Sequence, residues 1–234
     1  MSAASSAAER RILFIGNSYT SRNNLPRLLT DLAAAARPPR QLHVKAIVAG
    51  GASLKRHWNA GLAQQALAKE RWDYVVLQEQ STLPVKNPLR YHDNVRLFAG
   101  EIAKIGARIV LYLNWPRQSV PDAQHALTRA VNDIAQEVDA LVVPVGPAWQ
   151  TALQAMPGLR LYEDDGSHPT AAGSYLAACV FHVALFDVPV HGDSVAAALR
   201  LDSATARSLQ TIAWAFRTSC EEAPSSDKTR SKNQ

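Results

Sequence analysis

Five short runs of β-branched and other apolar residues recur along this 234-residue chain, separated by segments with helical periodicity. The runs are mostly continuous rather than alternating, which is typical of strands buried on both faces of a parallel sheet. They are RILFI (11–15), LHVKAIV (42–48), YVVLQ (74–78), IVLYL (109–113) and LVVPV (141–145). Because parallel strands are joined by right-handed crossovers, the pattern predicts an α/β protein. The expected architecture is a three-layer α/β/α fold with a five-stranded parallel sheet in the flavodoxin-like order 2-1-3-4-5.

The intervening segments carry start and stop signals of helices. Asn24 is expected to cap a helix with Pro26 in its first turn, and Gly106 to end a helix within 87–106. Further helices are predicted to begin at Pro121, to run over 169–186, and to run over 203–217.

The sequence also indicates the domain boundaries. No repeat or linker interrupts residues 10–220, which we therefore predict to form a single domain. Residues 1–9 and 221–234 hold few large apolar side chains and are predicted to be disordered tails.

Composition narrows the class of protein. Hydrophobic residues make up 47% and charged residues 19%, as in ordinary globular proteins. The net charge of +5 comes from dispersed basic residues without a nucleic-acid motif, so we expect no nucleic-acid partner. No run is long enough to span a membrane, and the two cysteines form no metal-ligand pattern. We expect no membrane partner, no metal and no cofactor. Without an apolar leader, a cytoplasmic location is the default, or a periplasmic one if a leader had been removed.

Polar side chains and glycines follow the strands at the edge where such sheets bind ligands. Ser18 follows the first strand and Gly51 the second, Gln78 ends the third, and Asp165 and His168 lie in DDGSHPT beyond the fifth. A serine hydroxyl needs a base to take its proton, and an aspartate three residues before a histidine can fix the imidazole tautomer. The set predicts acyl transfer by Ser18, with His168 as base and Asp165 as its partner.

An oxyanion and a substrate also need partners. The backbone N–H groups of Ser18 and Gly51 and the side-chain amide of Gln78 are the candidate oxyanion donors. Asn114 and Trp115 end the fourth strand, where both can line a substrate pocket, although Trp115 can equally belong to the core. The predicted substrate-binding residues are Asn17, Gln80, Asn114 and Trp115.

The same residues resemble the SGNH (GDSL-type) hydrolases over 11–190. Gly-Asn-Ser follows the first strand, a glycine follows the second, and Asp-x-x-His-Pro stands near the C-terminus. The resemblance implies an α/β/α fold and ester hydrolysis through a Ser–His–Asp triad. The chain departs from the family in two places: Asn17 replaces the usual aspartate, and LQEQS replaces a Gly-x-Asn-Asp block. The resemblance implies that the oxyanion role of the asparagine in that block falls to Gln78, with Gln80 as the competitor.

Each motif also has a purely structural reading. Ser18 can be a helix cap, DGSHPT can be a turn, and Gly50–Gly51 can be a tight connection. Their occurrence together favours a serine esterase that cleaves a short-chain O-acyl ester, with an acetylated carbohydrate as the expected small-molecule substrate. Two alternatives remain open: an acyltransferase with the same triad, and a non-catalytic binding protein on a hydrolase fold. Acceptor-dependent rates would indicate the first, and ligand binding without labelling of Ser18 the second.

Overall fold

The computed structural model of the protein describes residues 9–217 and places five parallel strands in one sheet. The strand order is β2-β1-β3-β4-β5, which confirms the predicted topology. The strands are β1 (Arg10–Gly16), β2 (Leu42–Val48), β3 (Tyr74–Leu77), β4 (Arg108–Tyr112) and β5 (Leu141–Val143). The carboxyl end of the interior strand β1 lies beside those of β2 and β3.

Helices cover both faces of the sheet. The helices after β1 and β2 are α1 (Ser18–Ser21), α2 (Leu25–Ala35), α3 (Leu54–Ala60) and α4 (Leu62–Lys69). Those after β3 and β4 are α5 (Leu83–Lys86), α6 (Pro88–Lys104) and α7 (Gln124–Glu137). The remaining helices are α8 (Val145–Ala155), α9 (Ala171–Phe186), α10 (Asp193–Ala198) and α11 (Ser203–Ala215). The arrangement confirms the predicted three-layer fold.

Alternation along β1 divides the apolar core between the two faces. Ile12 and Phe14 pack with α2, α8, α9 and α11, whereas Leu13 and Ile15 pack with α3, α4, α6 and α7. All four β1 side chains are fully buried. A strand covered on both faces has no solvent side, which explains its unbroken apolar sequence.

The structure corrects several predicted boundaries. The fifth strand ends at Val143 rather than at residue 145, because Pro144 has no N–H to donate and Val145 already begins α8. No bounds were predicted for α3, α4, α5, α8 and α10. Helix α9 begins at Ala171 with Thr170 as its cap, two residues after the predicted start. That 10–220 is one domain stays a prediction. Apart from Glu9, the predicted tails lie outside the described residues.

No helix within residues 9–217 has the length and apolar character needed to cross a membrane.

A buried histidine in α9 gives the fold a predictable response to acid. His182 is fully buried, and neither ring nitrogen has a hydrogen-bond partner within residues 9–217. Burial, with Arg40 and His191 nearby, lowers the pKa of His182 from 6.5 to about 4. The unfolded chain therefore binds more protons between these pH values, so the free energy of unfolding falls as the pH is lowered through this window.

We expect the wild type to lose up to about 3 kcal/mol more stability than His182→Leu between pH 7 and pH 4. Urea unfolding at a series of pH values checks this. Parallel pH dependences of the two proteins would contradict the assignment to His182.

Candidate active site

Ser18 lies at the carboxyl end of the interior strand β1. Strand β1 ends at Gly16, Asn17 caps α1, and Ser18 is the first residue of that helix. The side-chain oxygen of Asn17 accepts a hydrogen bond from Tyr19 N at 3.1 Å, and its amide nitrogen donates to Ala52 O at 3.0 Å. Asn17 lines the cavity around Ser18, but these bonds engage both ends of its amide. Its side chain therefore positions the Ser18 turn, in place of the predicted contact with substrate.

The interior side of this turn is filled by Gln78. The side-chain oxygen of Gln78 accepts from Asn17 N at 2.8 Å and from Thr20 Oγ1 at 3.1 Å. Its amide nitrogen donates to Glu79 O at 2.5 Å, and the residue is 0% exposed. The prediction that Gln78 is an oxyanion donor is therefore wrong, because its amide points into the interior. A Cβ on Gly16 would lie only 2.8 Å from the Gln78 oxygen, which explains why glycine stands there.

Ser18, His168 and Asp165 form one chain of hydrogen bonds. His168 Nε2 lies 2.8 Å from Ser18 Oγ, and His168 Nδ1 lies 2.5 Å from Asp165 Oδ2. The other carboxylate oxygen of Asp165 accepts from the backbone N–H groups of Ser167 and His168, each at 2.9 Å. Hydrogen bonds from the side chain and backbone of His168 and from Ser167 N hold the pKa of Asp165 well below its usual value. The carboxylate is ionised at neutral pH and faces the imidazole nitrogen that must carry a proton.

A stack of aromatic rings supports the loop that carries His168. Tyr19 stacks on Trp115, with ring centroids 4.8 Å apart, and Trp115 stacks on Trp149 at 3.9 Å. Tyr19 Oη lies 2.7 Å from Ser167 Oγ, and Trp115 Nε1 donates to Ser167 O at 3.0 Å. Ser167 is thus held from two sides, which fixes the position of the neighbouring His168.

Trp115 and Asn114 do not line the cavity, contrary to their predicted role in binding substrate. Trp115 is fully buried in the aromatic stack. Asn114 is also buried, and its side-chain amide donates to the backbone oxygen of Trp115 at 3.2 Å. Both residues follow β4, where the interior of the α/β/α sandwich rather than the cleft receives their side chains.

Three groups beside Ser18 can donate hydrogen bonds to an oxyanion. As the first residue of α1, Ser18 has a backbone N–H without an intrahelical partner. The Gly51 N–H donates to no group within residues 9–217, and this glycine has a φ of +60° that side chains disfavour. The third donor is Gln80, whose side-chain oxygen accepts from Thr82 N at 2.9 Å and Leu83 N at 3.0 Å.

These two backbone donors decide the orientation of the Gln80 amide, because only its oxygen can accept from N–H groups. Thr82 Oγ1 also donates to this oxygen, at 3.0 Å. The amide nitrogen of Gln80 is left without a partner in the described part of the chain, and Gln80 lines the same cavity as Ser18 and Gly51. The structure thus favours Gln80 over Gln78 as the side-chain donor.

The buried carboxylate of Glu79 connects the loops that carry two of these donors. Its Oε1 accepts from Gln80 N at 2.6 Å and from Leu54 N, at the start of α3, at 3.1 Å. Its Oε2 accepts from Asn94 Nδ2 in α6 at 2.8 Å. Burial raises the pKa of Glu79, and these three bonds partly oppose that rise. Sequence reasoning missed this role, although a carboxylate at the end of a buried strand was a signal.

The cavity over Ser18 has a volume of about 320 Å³. Besides the residues already described, its walls include Gly50, Ser81 and Arg117. Sequence analysis did not single out Arg117, an exposed residue after β4 with no carboxylate partner among residues 9–217. Within the same residues, no group of three or more His, Cys, Asp or Glu side chains is placed to hold a metal ion.

Comparison with solved structures identifies the family. The chain is 32% identical to a protein of Slackia heliotrinireducens described as an SGNH hydrolase, with a TM-score of 0.64. The match covers 98% of that protein and 75% of this chain. This chain belongs to the SGNH hydrolases. It is thus a hydrolase of ester substrates, as the sequence predicted.

More distant structures share the SGNH fold. A DUF4886 family protein from Bacteroides uniformis is 20% identical, with a TM-score of 0.72, and the match covers 89% of this chain and 94% of that one. An acetylxylan esterase from Geobacillus stearothermophilus is 17% identical, with a TM-score of 0.61, and the match covers 74% and 92% of the two chains. No protein-family profile and no curated protein sequence matches the chain.

Proposed function

We propose that the protein is a serine esterase that hydrolyses a short-chain O-acyl ester, acetyl esters included, through a covalent acyl-enzyme. The observation that carries the proposal is the continuous hydrogen-bond chain from Ser18 Oγ through His168 to Asp165. It joins a nucleophile, a base and an orienting carboxylate at hydrogen-bond distances, the arrangement that acyl transfer by serine requires.

In the first step, Ser18 Oγ attacks the ester carbonyl carbon while His168 Nε2 takes the hydroxyl proton. Asp165 stabilises the imidazolium that forms. The negative charge on the carbonyl oxygen is met by the N–H groups of Ser18 and Gly51 and by the Gln80 amide. The carbon–oxygen bond to the alcohol then breaks, and the departing oxygen takes the proton from His168.

In the second step, water replaces the alcohol. His168 removes one proton from the water, whose oxygen attacks the acyl-enzyme carbonyl carbon. The bond to Ser18 Oγ breaks, the serine oxygen recovers the proton from His168, and the carboxylic acid leaves. Each step returns the residues to their starting protonation states, so the cycle needs no metal and no redox partner.

An ester of a small polar alcohol, such as an O-acylated sugar, is the proposed substrate. Ser18, Ser167 and His168 border the cavity, and these polar side chains suit a hydroxylated leaving group. The acetylxylan esterase with the same fold acts on an acetylated carbohydrate by its name, which is consistent with this substrate class.

Labelling by a fluorophosphonate tests the activated serine directly. We expect the intact mass of the wild type to increase by one adduct, Ser18→Ala to show none, and His168→Ala to react much more slowly. Ser81→Ala is the matched control, because Ser81 borders the same cavity but no hydrogen bond joins it to a histidine within residues 9–217. It should label as the wild type does. A folded wild type that forms no adduct, or an adduct that persists in Ser18→Ala, would contradict the mechanism.

A further inference from the structure

A second cavity adjoins the one over Ser18. It has a volume of about 260 Å³ and lies between the loop after β3 and the loop after β4. Its apolar walls are formed by Val85, Pro116, Val120, Ala123 and Leu127. We call this cavity the 85–127 groove.

The walls of the 85–127 groove include apolar side chains that face water. Val120 is 51% exposed and Val85 is 37% exposed, while Leu127 is fully buried in the core. Exposed valines that converge on a concave surface are typical of a binding site rather than of a random surface. A volume somewhat below the usual ~300 Å³ of small-molecule sites suits one short chain or one ring.

The 85–127 groove is continuous with the cavity over Ser18. Ser81 and Arg117 line both cavities, and Ser81 directly follows the oxyanion donor Gln80. A substrate whose carbonyl carbon lies at Ser18 Oγ can therefore extend past Ser81 into the groove. The two cavities together form one extended site.

Two cations border the 85–127 groove. Lys86 and Arg117 are exposed lining residues, and neither has a carboxylate partner among residues 9–217. Their aliphatic stems can lie along an apolar wall while the charged ends stay in water. An apolar site with unpaired positive charge at its rim is complementary to an apolar ligand that carries a negative charge.

The position of the groove indicates which half of the ester it takes. The alcohol leaves beside His168, because that residue returns a proton to it, and water later enters on the same side. None of residues 163–168 lines the 85–127 groove, which begins next to Gln80. A group bound there would stay in place through both steps, as the acyl group must.

We propose, resting on the proposed esterase function, that the 85–127 groove binds the acyl group of the substrate and selects an apolar acyl chain that ends in a negative charge. Acetyl esters leave the groove empty and are expected to have the lowest kcat/KM among the acyl esters. The preferred substrates are esters of short aliphatic dicarboxylic acids or of similar anionic acyl groups.

Steady-state kinetics with three 4-nitrophenyl esters tests this: the acetate, the hexanoate and the adipate monoester. After normalisation to hydroxide-catalysed rates, we expect kcat/KM to rise about 16-fold from acetate to hexanoate, since each of the about four added methylenes, half buried, contributes about a twofold increase. A further rise of about threefold to tenfold is expected for the adipate monoester, from two solvent-exposed charge contacts.

Paired variants separate the two contributions. Lys86→Gln combined with Arg117→Gln should remove the preference for adipate over hexanoate, whereas Lys69→Gln combined with Arg129→Gln makes the same charge change outside the groove and should retain it. Val120→Ser should reduce the preference for hexanoate over acetate, and Leu89→Ser, at an exposed leucine outside the groove, should not.

Binding to Ser18→Ala distinguishes failure of this proposal from failure of the esterase function. Calorimetry should detect binding of the adipate monoester that is weakened in the variant that also carries Lys86→Gln and Arg117→Gln. Such binding, with no hydrolysis by the wild type, would support the groove and refute the esterase. Hydrolysis of the three esters with equal kcat/KM values would overturn the groove and leave the esterase standing.

Discussion

Replacing Ser18 by alanine is expected to lower kcat/KM for ester hydrolysis by at least about 10⁴-fold, and replacing His168 by alanine to cost about as much. The two side chains act as one unit through the 2.8 Å contact between Ser18 Oγ and His168 Nε2. When either side chain is missing, removing the other causes no further loss of kcat/KM. The double variant should therefore be no slower than the slower single variant. Additive losses in the double variant would contradict a shared mechanism. Hydrolysis of a 4-nitrophenyl ester, measured under first-order conditions, gives these values.

Asp165→Asn provides a graded comparison in the same assay. An asparagine can keep the shape of the loop, but it no longer stabilises the imidazolium and can favour the wrong tautomer of His168. We expect a large loss of kcat with little change in folding stability. Asp164→Asn is the matched control, because the neighbouring Asp164 forms an exposed ion pair with Arg160 and does not reach His168.

Replacing Gln80 by glutamate is expected to lower kcat by about 10²- to 10³-fold, the usual effect of removing one oxyanion donor. The change keeps an oxygen that can accept from Thr82 N and Leu83 N, so the loop stays in place. It replaces the two amide N–H donors by an acceptor that repels the developing oxyanion. KM should change much less than kcat, because the lost interaction forms in the transition state.

Gln78 is the matched control for this prediction. Gln78→Ala leaves the buried N–H of Asn17 without its acceptor at 2.8 Å, which should lower the free energy of unfolding by about 1–3 kcal/mol. We expect Gln80→Glu to lower kcat while its urea unfolding stays near normal. For Gln78→Ala we expect the main effect to be a lower free energy of unfolding. The opposite result, in which Gln80→Glu retains wild-type kcat, would exclude Gln80 as an oxyanion donor.

The five strands and the positions of Ser18, Asp165 and His168 could be predicted because they depend on local patterns, and right-handed crossovers then limit the strand order. The interior strands β1, β3 and β4 are mostly buried on both faces and are therefore apolar, so they are visible in the sequence without knowledge of their neighbours. The edge strand β2 has no buried residue, which agrees with the polar side chains of His43 and Lys45 in its sequence. Likewise, an aspartate and a histidine three residues apart in a tight turn are brought together by the backbone itself. The structure places both beside Ser18, and their catalytic roles stay predictions.

Features that depend on packing between distant segments could not be predicted. Gln78 and Gln80 have the same chemistry two residues apart, and only their partners decide which faces the cleft: Asn17 and Thr20 engage the first, and Thr82 and Leu83 orient the second. From the sequence, Trp115 was equally compatible with the pocket and the core, and only its stacking on Trp149 in the structure places it in the core.

The sequence by itself determined the α/β/α fold, the family resemblance and the three residues of the proposed triad, since each follows from short-range periodicity or a single turn. The tertiary structure alone decided which glutamine borders the cavity, how Glu79 joins the loops around it, and that an apolar groove adjoins Ser18. Those features arise where loops after different strands meet, and the side chains that meet there are far apart in the chain.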